Sequence, residues 1–350
     1  MAKIGIVGTG WGARVQVPAF REAGLEVVAL AGFQHEKTRK LAEELGGLRA
    51  YADWRELVAS DVDLVSIVTP PSEHREMATA ALAAGKHVLS EKPTALDARE
   101  AEQLVAAARE HAQQIAIIDH ELRFLPAWRV AREAMQELGA IRYAEVRYAS
   151  PGRGDRSRAW NWWSDAERGG GIWGAVGSHF VDALRYLGLE IDAVQATLHT
   201  AIAERPFENG TRAVTSDDVA FVNLRLRGGA VATMSFSVVA SGPDEPATLT
   251  IHGEDAAMRF ISEEVLFAKR GEPFTRRFGD DLAPRPGNSP GGAFGSGTLH
   301  LGHALRTALD NGDRTALAPA ATFEDGLAQQ RVLDAARRSN ANDGRWERVS

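Results

Sequence analysis

The sequence predicts an α/β protein of two domains: a doubly wound parallel sheet first, then an α/β domain on an antiparallel sheet. Three observations carry this. Short, near-continuous apolar runs alternate with helical periodicity over the first 120 or so residues. The first run ends in a glycine-rich turn. After about residue 124 the texture changes to strictly alternating strands. A chain of 350 residues also exceeds one ordinary core, so two domains are expected.

The apolar runs are KIGIVG (3–8), LEVVALAG (25–32), DLVSIVTP (63–70), KHVLSEKP (86–93) and QIAIIDH (114–120). Runs apolar at nearly every position suit strands covered on both faces, the situation of a parallel sheet. Helical segments separate them. Ala101, Leu104, Val105 and Ala108 recur at helical spacing after Asp97. Asp97 with Glu100, and Asp53 with Glu56, read as N-caps with an acid at the third helical position. Strand–helix alternation implies the doubly wound arrangement.

The first turn reads GTGWGA (8–13), between a strand and a helix. Gly8 and Gly10 take the first two positions of the dinucleotide fingerprint and Ala13 the third, with Thr9, Trp11 and Gly12 completing the loop. The first glycine permits the turn, the second lets a pyrophosphate approach the backbone, and the third position keeps helix and strand close. The helix N-terminus then offers N–H groups to phosphate. Strict NAD readers place an acid at the end of the second strand, on the ribose 2′-hydroxyl. Here that strand ends Ala31-Gly32-Phe33-Gln34-His35, with no acid before Glu36. NAD or NADP is therefore expected, with NADP favoured: Gly32 leaves room for a 2′-phosphate within reach of His35, Lys37 or Arg39. Phe33 is either an adenine-stacking ring or an ordinary surface aromatic.

Beyond the first domain (1–123), residues 124–350 form the second. IRYAEVRYA (141–149) alternates, and DVAFVNLRLRGGAVATMSFSVV (218–239) reads as a hairpin about Gly228-Gly229. The stretch 282–297, LAPRPGNSPGGAFGSG, reads as a loop, and Thr322 with Asp325 as the cap of a last helix. Lys and Arg total 40 against 47 Asp and Glu, a net charge of −7 that opposes nucleic-acid binding. There is no cysteine, hence no disulfide or thiolate–metal site, and no other metal site is expected. The N-terminus runs directly into a strand and no apolar run is long enough to span a bilayer, so a cytoplasmic protein is expected.

Taken together these segments resemble the Gfo/Idh/MocA (glucose-fructose oxidoreductase, inositol dehydrogenase) family over nearly the whole chain. The most specific segment is TPPSEHREMATAALAAGKHVLSEKP (69–93). DHELRFLPA (119–127) and GGGIWGAVGSHFVDALRYLG (169–188) are also similar to family segments. The resemblance implies a Rossmann domain, then an α/β domain with a large, mostly antiparallel open sheet through which members form homodimers or homotetramers. It implies a hydride transfer between a nicotinamide and a secondary alcohol or ketone of a sugar, polyol or related small molecule. It assigns Lys92 to the catalytic centre, with a cis Lys92–Pro93 bond. Thr69, Pro70, His74 and Glu91 fall beside the nicotinamide end of the cofactor.

The second catalytic candidate is His179, whose imidazole titrates near neutrality. The family motif carries Asp four residues before this histidine; here that residue is Ala175. Asp182, three residues on, is read as orienting His179, anchoring the helix or touching substrate. Trp173, Trp163 and Arg123 are further substrate candidates, Arg123 touching substrate or cofactor. For Trp160, Trp162 and Trp163 the other reading is packing at a domain interface, and for Arg123 it is a link between domains. Two other functions stay open: a dinucleotide-binding sensor without turnover, and redox-assisted glycoside cleavage or epimerisation.

Overall fold

The computed structural model describes residues 1–277 and 292–350. The first strands and helices are β1 (Lys3–Val7), α1 (Val17–Glu22), β2 (Glu26–Ala31), α2 (His35–Glu44), β3 (Arg49–Tyr51), α3 (Trp54–Ala59), β4 (Leu64–Ile67), α4 (Pro71–Ala83), β5 (His87–Ser90), α5 (Ala98–Glu110) and β6 (Ala116–Ile118). Next come α6 (Pro126–Ala134), β7 (Ile141–Ala149), α7 (Ser178–Tyr186), β8 (Ile191–His199), β9 (Glu204–Phe207), β10 (Gly210–Ala213), β11 (Val219–Leu226) and β12 (Val231–Ser237). The chain then adds β13 (Glu245–Gly253), β14 (Ala256–Ile261), β15 (Glu264–Lys269), β16 (Thr275–Arg276), α8 (Gly292–Asn311), β17 (Ala321–Thr322), α9 (Phe323–Ala341) and β18 (Glu347–Arg348).

These elements divide into two compact units. The first holds Met1–Ala95, Arg99–Leu125 and the described part of Arg285–Leu327. The second holds Leu96–Ala98, the described part of Pro126–Pro284, and Ala328–Ser350.

In the first unit the strand order is β17-β6-β5-β4-β1-β2-β3. β1 to β6 are parallel and only β17 runs against its neighbour. β1 lies between β2 and β4, so the chain reverses its direction of travel across the sheet there, and ligands bind at that switch point in doubly wound folds. A core lies on each face. One gathers Leu57, Val65, Ile67, Met77, Leu104 and Phe323. The other gathers Ile4, Ile6, Phe20, Leu30, Leu89, Leu301 and Leu305. This two-sided burial explains the uninterrupted apolar runs in the sequence. The Asp53 cap also forms, its Oδ1 accepting the Arg55 N–H at 2.9 Å.

One expectation is overturned. Residues 292–297 were expected in a glycine-rich loop but open α8; the rest of that stretch, 282–291, lies outside the described residues. Gly292 turns the chain at φ 58°, but Gly297 and Gly302 serve contact. A Cβ on Gly297 would lie 2.6 Å from the carbonyl oxygen of Glu121, and one on Gly302 2.9 Å from the Ala23 Cβ. α8 and β17, although beyond residue 123, thus belong with the first unit.

The second unit is built on a nine-stranded sheet, β16-β15-β14-β13-β7-β12-β11-β8-β18. Only the β12–β7 pair is parallel. The expected hairpin joins β11 to β12, but Arg225 pairs with Val231 and the Leu226 N–H donates to the Ala230 carbonyl at 2.9 Å, so the connection is the three residues Arg227-Gly228-Gly229, with the glycines at φ 91° and 95°. Ala220, Val222 and Leu224 on β11 and Ala232, Met234 and Phe236 on β12 are buried. Phe180 of α7 and Trp173 pack against Phe236. Tyr143, Phe221 and Val231 point from the other face and are exposed.

Candidate active site

The glycine loop has the shape its sequence implies. Gly8 has φ 135°, and a Cβ there would lie 2.3 Å from the Val68 carbonyl oxygen. At Gly10 a Cβ would meet nothing within 4 Å, so this backbone is open to an incoming group. Close helix–strand packing falls to Gly12, whose Cβ would lie 2.7 Å from Ile6, while Ala13 is buried in the core. The helix begins with a wide π-type turn over Gly12–Gln16 before α1. Thr9 and Thr38 border Gly32, 2.6 and 2.7 Å from where a Cβ would sit. Phe33 is 67% exposed, with Gln34 and His35 exposed beside it. This cradle fits a dinucleotide: an open backbone at the phosphate position, and no acid at the end of β2. Arg39 pairs with Glu36 at 3.1 Å and Glu43 at 2.8 Å.

The ends of β4 and β5 are tied together by His74. Its ring is fully buried, with Nε2 2.9 Å from the Thr69 carbonyl and Nδ1 3.0 Å from the Pro93 carbonyl. Burial first, and then the charge of Lys92, lowers its proton affinity, against which the backbone carbonyls act. His74 therefore fixes the Thr69–Pro70 turn against the Lys92–Pro93 bond, which is cis. Its two nitrogens face protein carbonyls, making it a positioning group.

Beneath Lys92 lies a polar cluster that no local motif announces. The Ser66 hydroxyl donates to Gln16 Oε1 at 2.6 Å. This orients the Gln16 amide so that Nε2 donates to Asp119 Oδ2 at 2.9 Å and to Glu91 Oε1 at 3.3 Å. Glu91 Oε2 also accepts the Lys92 backbone N–H at 3.3 Å. Glu121 is buried too, at 3% exposure. Burial pushes the Glu91 carboxyl up, with Lys92 opposing. Burial and then the Glu91 charge push Asp119 well up; burial and then Asp119 and Glu91 do the same to Glu121.

In the second unit the glycine run shapes the turn into α7. Gly171 has φ 108°, and a Cβ there would lie 2.4 Å from Asp217 Oδ1. Asp217 Oδ2 accepts the Trp173 N–H at 2.7 Å, and its carbonyl accepts the Ile172 N–H at 2.9 Å. Burial raises this carboxyl and the Trp173 bond draws it back. A second π-type turn, Trp173–Gly177, then leads into α7, where His179 and Asp182 are 4% and 3% exposed. Ala175 is buried in that turn.

Two substrate candidates, Trp173 and Arg123, are buried. Trp173 is 1% exposed, packs on Phe236 and donates its indole N–H to the Leu333 carbonyl at 3.3 Å, so its role is in the core. Arg123 is buried against Asp325 at 3.4 Å, the residue that caps α9 through Thr322, and both residues belong to the first unit. Trp163 is half-buried under the Arg153 guanidinium, 4.6 Å from its ring centre. Sequence reasoning missed Gln16, Ser66, Asp119, Glu121 and Asp217. Asp119 and Glu121 stood in the segment DHELRFLPA, but nothing local marked their carboxyls as buried. Among the described residues, no group of three or more His, Asp or Glu is placed to hold a metal ion, and no helix is long and apolar enough to cross a membrane.

Residues 2–119 match the family described as "Oxidoreductase family, NAD-binding Rossmann fold", and residues 128–259 match the "GFO/IDH/MocA C-terminal domain". A glucose-fructose oxidoreductase domain-containing protein 2 from Xenopus tropicalis is 33% identical over 99% of this chain and 93% of its own length. The chain belongs to the Gfo/Idh/MocA family. The Homo sapiens family member of that same name is 31% identical over 99% of this chain. An oxidoreductase domain protein from Kribbella flavida superposes at TM-score 0.87 with 29% identity, covering 100% of this Gfo/Idh/MocA chain and 99% of its own. A levoglucosan dehydrogenase in complex with NADH and levoglucosan does so at 0.87 and 25%, again covering 100% and 99%.

Proposed function

We propose that this chain is an NAD(P)-dependent oxidoreductase that interconverts a secondary alcohol and a ketone on a sugar, polyol or related compound. The observation that carries the reading is the placement of Lys92. It follows β5 at the carboxyl edge of the sheet, and His74 locks its backbone to the turn after β4. Ligands of doubly wound sheets bind at that edge. When bound, the nicotinamide supplies the hydride acceptor or donor. The loop at Gly8, Thr9, Gly10, Trp11, Gly12 and Ala13 receives the pyrophosphate, and Gly32, Phe33 and Gln34 border the adenosine end. Thr69 and Pro70 shape the turn next to Lys92, with Glu91 behind it. Lys92 exchanges the hydroxyl proton as a general acid or base, and His179 is the second proton-handling group. Asp182 holds the His179 helix, and Trp163 offers its uncovered surface to a sugar's C–H face.

NADP is favoured over NAD because β2 ends at Gly32 without an acid and His35 and Lys37 are exposed beyond it. The substrate panel begins with anhydrosugars, ketohexoses and inositols, since one structural relative was captured with levoglucosan. The outward face of the large sheet, with Tyr143, Phe221 and Val231, is the proposed surface for a homodimer or homotetramer.

The test combines fluorescence titration of NADPH and NADH with turnover of wild type, Lys92→Ala and His179→Ala on that panel. Tighter NADPH binding and a loss of about 100-fold or more in kcat for Lys92→Ala are expected, the scale of general acid–base catalysis. Unaltered turnover in Lys92→Ala overturns the mechanism. Cofactor binding without turnover on any compound favours a sensor.

A further inference from the structure

The buried polar cluster behind Lys92 goes beyond what the proposed reaction requires. Glu91, Asp119 and Glu121 are 8%, 1% and 3% exposed, with Gln16 and Ser66 fully buried beside them. Glu91 and Asp119 sit at the carboxyl ends of adjacent strands, and a carboxyl oxygen of each accepts from one nitrogen, Gln16 Nε2, at 3.3 and 2.9 Å. With the Ser66 hydroxyl donating to Gln16 Oε1 at 2.6 Å, the amide NH2 is the side that faces the two carboxyls. Three carboxyls that each feel the Lys92 charge therefore lie together in a region withdrawn from water. Like charges so placed cannot all ionise.

We infer that Glu91 and Asp119 share one proton, that Glu121 keeps its own, and that the cluster presents a single negative charge to the Lys92 ammonium. These acids are positioning residues for the proton step proposed above, and the inference rests on that reading for its catalytic meaning. The cluster and Lys92 together then carry no net charge while the lysine is protonated. A proton arriving on Lys92 from a substrate hydroxyl forms an ammonium beside one balancing charge, not three. Lys92 acts on both members of the pair, and the pair in turn acts on Glu121. His120 is buried between Asp119 and Glu121 in the chain, and α8 meets this segment through Gly297. The upward push on all three carboxyls agrees with retained protons.

The first test needs no turnover. Infrared spectra of ligand-free protein at neutral pH are compared between wild type, Asp119→Asn and Glu121→Gln. Each variant is expected to lose intensity in the C=O stretch of protonated carboxylic acids. Asp217→Asn controls for a buried acid elsewhere. No loss in either cluster variant means the acids are ionised and overturns the inference. If Asp119→Asn does not fold, Glu121→Gln and a pH series on wild type decide it, since the band must persist well above the pH where exposed carboxyls ionise. The second test reads the link to Lys92. In a Glu91→Gln/Asp119→Asn double variant the balancing charge is gone, so the acid limb of kcat/KM for alcohol oxidation moves down by roughly one to three pH units. An unmoved limb overturns the link. Absence of turnover in wild type would instead count against the proposed function, with the infrared result still standing.

Discussion

Glu121 and Asp119 give single side chains a measurable effect on folding. Their folded-state proton affinities are raised, by burial first and then by neighbouring carboxylates. Below about pH 4 the folded and unfolded chains are both protonated, and the contribution to stability is fully present. As pH rises, the unfolded chain releases protons that the folded cluster keeps, and that stability is lost until pH passes the folded values. Each retained proton corresponds to about 1.4 kcal/mol lost per pH unit. Glu121→Gln removes one such proton, so its stability relative to wild type is expected to grow between pH 5 and 7. Denaturant unfolding at stepped pH checks this, and parallel curves would refute it. His74, whose affinity is lowered, contributes the opposite slope to both proteins and cancels in the comparison. None of this was legible in the sequence. Residues 16, 66, 91 and 119 meet only because the sheet sets β1, β4, β5 and β6 side by side. Lys92 and His179 could be singled out from the sequence because each stands inside a contiguous motif.

At the scale of elements, the strand–turn–helix after β1 separates two uses of glycine. Gly8 is demanded by the fold: φ is 135° and a Cβ would strike the Val68 carbonyl. Gly10 has open space and is demanded only by what binds there. Gly8→Ala is therefore expected to destabilise by about 1–3 kcal/mol or more, the range of backbone strain, and to lose dinucleotide binding as a consequence. Gly10→Ala should melt with wild type in the absence of ligand and still bind NADPH more weakly. Thermal melts with and without NADPH check both, and equal binding by Gly10→Ala would remove the loop from the cofactor site. Periodicity located the five main parallel strands because each is apolar throughout. β3 reads Arg-Ala-Tyr, with no apolar run to mark it, and β17 is only two residues long. The start of α8 misled for a different reason: Gly297 answers to a neighbouring backbone that a linear reading does not show.

For the whole molecule, the open question is what covers the outward face of the nine-stranded sheet. Alternation along β11 and β12 fills one face with Val222, Leu224, Met234 and Phe236, and sends Phe221 and Val231 outward at 59% and 51% exposure. Val231 pairs directly with Tyr143 across the parallel β12–β7 junction, so two of the outward apolar groups adjoin. A sheet this wide with large apolar side chains on its free face invites a second sheet. A symmetric pair would set the same surface against itself, so one substitution alters the interface twice. Wild type is expected to behave as a dimer or tetramer in light scattering, and Phe221→Arg with Val231→Glu should shift it toward monomer. Because these residues belong to the second unit, the variant should still bind NADPH through the Gly8–Ala13 loop. A monomeric wild type would remove this face as the assembly surface. A variant that stays oligomeric would send the search to another surface.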